Sequence, residues 1–147
     1  MKDPNRKYTF KKPPGWKVIV DPSSAFDYSI RKTRDTDTMI CVVDLGKIYT
    51  DKDMYSAYSQ IKKEYESRLK DFRVIEMKKV QVIENPDDLF LEFSHLKGNR
   101  RTWEASYHFE MDDREYQVAA SASEDEAVEM KKYLEWFITT FKRRTAM

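Results

Sequence analysis

Glycine and cysteine are scarce in this 147-residue chain, with three of the first and one of the second. So few glycines exclude a phosphate-cradling loop, and no serine sits in the Gly-x-Ser-x-Gly elbow of a hydrolase nucleophile. Cys41 has no partner for an intramolecular disulfide, so packing alone must hold the fold. Its place in Met39-Ile40-Cys41-Val42-Val43 reads as a small core residue. Those residues are also the longest unbroken apolar run, far short of the ~20 needed to span a bilayer. Charge of one sign is not in excess either. Lys and Arg number 27 against 26 Asp and Glu, a net charge of +1 that argues against a dedicated nucleic-acid binder. Lys2-Asp3-Pro4-Asn5-Arg6-Lys7 carries no apolar signal core, so a cytoplasmic chain is expected, or an extracytoplasmic one where an export signal or lipobox precedes it.

What is present is patterned apolar sequence, clearest in the last third. Trp103, Ala105, Tyr107, Phe109 and Met111 alternate with Glu104, Ser106, His108 and Glu110. Tyr116, Val118, Ala120 and Ala122 repeat that period of two, the mark of strands with one buried face. Asp112-Asp113-Arg114 is placed to close a hairpin between them. Ser123 and Glu126 have capping-box spacing, and Ala127, Met130, Leu134, Phe137, Ile138 and Phe141 follow at helical spacing.

Upstream, Tyr8–Phe10, Trp16–Val20, Phe26–Ile30 and Met39–Leu45 read as strands separated by polar or Pro-containing turns. Met39–Leu45, apolar at both parities, is expected at the middle of a sheet. Thr50 and Asp53 open a helix with Met54, Tyr58, Ile61, Tyr65 and Leu69 on one stripe. Phe72–Ile83 is a strand whose alternation slips, as a bulge near Glu76–Lys79 would cause. Leu89–Leu96 is another strand, and Lys97-Gly98-Asn99-Arg100 turns into Trp103–Met111. Turns this short link antiparallel neighbours. The expected class is α+β: a mainly antiparallel sheet of about six to eight strands packed by two long helices, in a single domain over 1–147 with 1–7 frayed.

Candidate sites are few. His95 and His108, each near glutamates in sequence, are the weak candidates for a metal site; a wet surface histidine is the plainer reading. The carboxylates fall in turns, caps and outer faces, where nothing perturbs them for acid–base work. With both helices on the apolar face, the opposite face would display Glu92, Ser94, Glu104, Ser106, His108, Glu110 and Gln117. Such a face is a platform for a protein or peptide, with Tyr49 or Trp16 as exposed aromatic anchors.

Tyr8-Thr9-Phe10 followed by Pro14-Gly15-Trp16 resembles the opening of the PsbP/Mog-like superfamily. The ending is similar too, a hairpin into a terminal helix with Leu134 and then Phe137-Ile138-Thr139-Thr140-Phe141-Lys142. The order of elements agrees over nearly the whole chain. The resemblance implies an antiparallel sheet packed by helices, in a superfamily of mostly non-enzymatic binding proteins. These include extrinsic photosystem II subunits, the Ran-binding Mog family, bacterial lipoproteins and Eag-type chaperones. It implies no cofactor and no shared catalytic residues, and the diversity of partners means that fold does not transfer function. The expected function is a protein- or peptide-binding accessory module without enzymatic activity; the alternative is a small-ligand or metal carrier.

Overall fold

The structure of the protein, a computed structural model, describes residues 8–20, 26–32, 38–47 and 58–143. In chain order it contains β1 (Tyr8–Thr9), β2 (Lys17–Ile19), β3 (Tyr28–Arg31), β4 (Met39–Lys47), α1 (Tyr58–Arg68), β5 (Lys70–Val80) and β6 (Asp88–Lys97). Then come β7 (Arg100–Met111), β8 (Arg114–Ser123), a 3₁₀ turn (Glu124–Glu126), α2 (Ala127–Thr140) and β9 (Lys142–Arg143). β2-β3-β4-β8-β7-β6-β5 form one antiparallel sheet, and β1 pairs with β9 in a small second one. The class is α+β with a large antiparallel sheet.

Two tight turns set the central register. Asp112 and Asp113 both take positive φ, the geometry whose twist matches paired strands, and Met111 closes onto Arg114. Gly98, at φ +65°, begins the other turn, and Lys97 closes onto Arg100. From these pairs every facing residue follows by counting, and facing residues project to the same side of the sheet.

One side carries the larger core. Trp103, Ala105, Tyr107, Phe109, Val118, Ala120 and Ala122 meet Met130, Leu134 and Phe137 of α2. Tyr8 stacks on Phe141 with ring centroids 4.7 Å apart, and the Lys11 N–H donates to Thr140 Oγ1 at 2.9 Å, so the N-terminal strand straps the end of α2. Trp16 is 3% exposed and packs on Tyr133, so it is a core residue and not a surface anchor. Tyr49 lies outside the described residues, as do Thr50, Asp53 and Met54 of the expected first helix start.

The second helix departs from expectation in position. α1 packs on the opposite side of the sheet, where Ile61, Tyr65 and Leu69 meet Leu89, Leu91, Phe93, Phe72 and Met77. The reason is written in β6, which is apolar at both parities: Phe90 serves one side, and Leu89, Leu91 and Phe93 the other. A strand apolar on both sides must be covered on both. The expectation of two long helices is likewise corrected. α2 is 14 residues and continues the 3₁₀ turn, whereas α1 spans 11 described residues. It ends where Leu69 and Lys70 pass directly into β5.

Two local details shift. Ser123 makes no side-chain cap, and Glu126 instead accepts a hydrogen bond from Thr38 Oγ1 at 3.1 Å. A tight 3₁₀ turn thus replaces the capping box. The register of β5 breaks between Lys70 and Arg73 and again between Val74 and Glu76, so the bulges lie slightly before the expected position. No described helix is long and apolar enough to cross a membrane.

Candidate functional site

The register divides the seven residues expected on one open face. Glu92 faces Ala105 and Ser94 faces Trp103, which puts both on the α2 side. Glu104, Ser106, His108, Glu110 and Gln117 lie on the α1 side. The turn held the signal: with Lys97 opposite Arg100, counting back places Glu92 beside Ala105 whatever its polarity.

Burial removes most of this set from solvent. Glu92 is 6% exposed, yet its carboxylate is satisfied. Trp103 Nε1–H donates to one oxygen at 2.8 Å and Lys131 Nζ to the other at 2.9 Å. That pairing pins α2 to the sheet, and the Glu92 hydrogen bond raises the Lys131 pKa. Ser94 accepts from Arg101, and Glu110 accepts from Asn85 Nδ2 at 3.1 Å. These are structural commitments.

The two histidines, expected as wet surface residues, are instead both buried, and each has a partner. His95 Nε2–H donates to Glu104 Oε2 at 2.7 Å, because a carboxylate can only accept. His108 Nε2 and Ser106 Oγ lie 3.0 Å apart and share a hydrogen bond. Burial pushes the His108 pKa down to about 4, so its ring is neutral at pH 7. His95 faces Thr102, six residues along β7 from His108. At about 3.4 Å per residue the two rings are roughly 20 Å apart and cannot share an ion. Among the described residues no group of three metal-ligating side chains converges.

What the α1 side does form is a trough beside the helix. One row across the strands runs Glu104–Ser121–Met39–Arg31, the next Ser106–Ala119–Cys41–Ser29, and a third His108–Gln117–Val43. The middle row is made only of small side chains, flanked by larger ones. Such a sequence of heights across a pleated surface leaves a groove. A cleft of about 110 Å³ opens there, lined by Phe26, Met39, Cys41, Glu104, Gln117, Ala119, Ala120 and Ser121. Tyr65 of α1 lies close enough to feel it: its phenol pKa is raised by burial and by the charge of Glu104. Burial pushes the Cys41 thiol up to about 12, so the floor offers a neutral thiol and no nucleophile. Glu104 and Gln117 were expected at a binding face. Ala119, Cys41 and Phe26 were not, and only the juxtaposition of β4, β7 and β8 with the segment before β3 reveals them.

No protein-family model matches the chain. No curated protein matches it in sequence. Solved structures do match in fold. Cyanobacterial PsbP (CyanoP) from Synechocystis sp. PCC 6803 is 16% identical, with a TM-score of 0.65 over 98% of this chain and 91% of that one. LpqN, involved in cell envelope biogenesis of Mycobacterium tuberculosis, is 14% identical, with a TM-score of 0.67 over 97% of this chain and 87% of that one. A Pseudomonas aeruginosa protein of unknown function is 10% identical, with a TM-score of 0.60 over 96% and 100%. The order of elements that begins with Tyr8-Thr9-Phe10 and ends with the terminal helix is therefore a shared architecture, and the chain carries the PsbP-like fold.

Proposed function

We propose that the protein is a non-enzymatic accessory or interaction module, and that the trough beside α1 seats one side chain of a protein partner. The observation that carries this reading is the size of the cleft. Sites for small metabolites enclose roughly 300–1,000 Å³. The trough measures about 110 Å³. That is well under the lower end of such sites, a scale suited to a single side chain. A small-ligand carrier, the competing reading, calls for a larger enclosure. The PsbP-like fold is consistent with accessory proteins, although at these identities the likeness is one of fold alone.

The chemistry around the trough favours recognition over reaction. Its thiol is protonated, its one carboxylate is anchored by His95, and its floor is apolar. A platform of this kind holds a partner through shape and a few hydrogen bonds. Selection of a displayed peptide library on the parent protein and on Ala119→Phe, which fills the trough, tests the reading. Peptides enriched on the parent and lost on a normally melting Ala119→Phe variant are expected. Identical enrichment on both proteins, or none on either, overturns it.

A further inference from the structure

Resting on that reading, we propose that the side chain the trough accepts is cationic, and specifically a lysine of the partner. Among the described residues that line the cleft, Glu104 is the only formally charged one. Its Oε2 is held by His95 at 2.7 Å, and its Oε1 has no hydrogen-bond partner among the described residues. Among the described residues the carboxylate is thus fixed in place with one acceptor oxygen uncommitted. Arg31, three strands away in the same row, is engaged with Ser29 Oγ at 3.4 Å and Met39 Sδ at 3.2 Å. At the Cys41 thiol on the trough floor the charge of Glu104 acts more strongly than that of Arg31.

Shape narrows the cation. A lysine brings a four-carbon stem, which suits Phe26, Met39, Cys41 and Ala119, and a compact ammonium at its end. Arginine is longer, and its planar fork gains most when it meets both oxygens of a carboxylate. Here one oxygen already belongs to His95, so the bidentate contact is closed. A single ammonium-to-oxygen contact is what the geometry leaves open, with Gln117 at the rim as a further acceptor.

The test uses the full chain and n-butylammonium, which has the atoms of a lysine side chain, beside n-butanol and n-propylguanidinium. Backbone amide shifts of Gln117, Ala119 and Ser121 are followed by NMR. n-Butylammonium is expected to move these amides with a dissociation constant about tenfold below that of either comparison compound, the scale of one charged hydrogen bond. Glu104→Gln, which keeps shape and removes charge, should erase the preference. The library selection gives a second, independent readout. Trough-dependent peptides should share a lysine, and exchanging it for norleucine should weaken binding at least about tenfold. Equal binding of n-butanol, an unchanged preference in Glu104→Gln, or trough-dependent peptides anchored by a neutral residue overturns the lysine assignment and leaves the interaction reading standing. Absence of any trough-dependent peptide overturns the interaction reading itself.

Discussion

Replacing Lys131 by alanine isolates the contact that fastens α2 to the sheet. In the folded protein the Lys131 ammonium donates to Glu92 Oε1 at 2.9 Å, sits 3.7 Å from Glu76 and lies 5.8 Å from the Phe90 ring centroid. Truncation leaves Glu92 inside the α2 side with only the Trp103 N–H. Breaking a fully buried pair costs about 3–5 kcal/mol, and losing an exposed one about 0–1. The Glu92 side chain is 8% exposed and the Lys131 side chain 32%, so water can reach one end of the pair and not the other. The expected loss is therefore intermediate, about 2 kcal/mol. For a chain of this length that corresponds to a fall in Tm of roughly 6–8 °C. Urea unfolding at pH 7 followed by circular dichroism gives the free energy directly. The double change Glu92→Gln with Lys131→Met removes both charges and should restore most of the loss, because the cost lies in stranding one charge and not in lacking two. A Lys131→Ala protein within about 0.5 kcal/mol of the parent would refute the argument.

The pH dependence holds a second test. Burial raises the Asp88 pKa to about 6, against two backbone N–H donors, from Val82 and Glu110, that oppose the rise. Unfolded it lies near 3.9, so Asp88 contributes stability that is present below about pH 4 and is lost as pH rises toward 6. His108, at about 4 folded and about 6.5 unfolded, contributes stability present above about pH 6.5 and lost as pH falls toward 4. The two slopes oppose each other, each worth up to about 3 kcal/mol. Asp88→Asn should therefore steepen the loss of stability from pH 6.5 down to 4, and His108→Gln should tilt the curve the other way. Urea midpoints that follow the same pH profile in both variants would show that neither group titrates as described. Phe93→Ala should cost about 3–5 kcal/mol, because the Phe93 ring packs, tilted, against Tyr65 at 5.0 Å and Phe72 at 5.2 Å beneath α1. Amide exchange should accelerate in α1 while α2 stays protected. Cys41 should resist iodoacetamide at pH 8 until the protein unfolds, since its thiol is buried and titrates near 12; rapid native labelling would place it at the surface.

Local pattern alone located most of the elements. A period of two over 103–111 and 116–122, turn residues at 97–100 and 112–113, and a helical stripe from Ala127 to Phe141 are short-range properties. Each needs only neighbours within one element, so each is legible residue by residue. The order of elements was legible as a PsbP/Mog-like resemblance, carried by Tyr8-Thr9-Phe10, Pro14-Gly15-Trp16 and the terminal helix, and the fold agrees. The side of the sheet to which a polar residue turns is not short-range. It depends on which parity of one strand meets which parity of the next, and a one-residue change reverses every side chain. Glu92 and Ser94 look like solvent residues by composition, yet the Gly98-Asn99 turn delivers them to the α2 side, where Trp103, Lys131 and Arg101 receive them. α1 took the other side because β6 left apolar residues there to cover.

By itself, then, the sequence determined the elements, the antiparallel hairpins and the helix that caps the larger core, because those rest on local spacing. Only the tertiary structure decided where α1 lies, which carboxylates are buried, and that Cys41, Glu104 and Ala119 border one trough. Those residues come from three strands, and cross-strand pairing is what makes residues so far apart in the chain immediate neighbours.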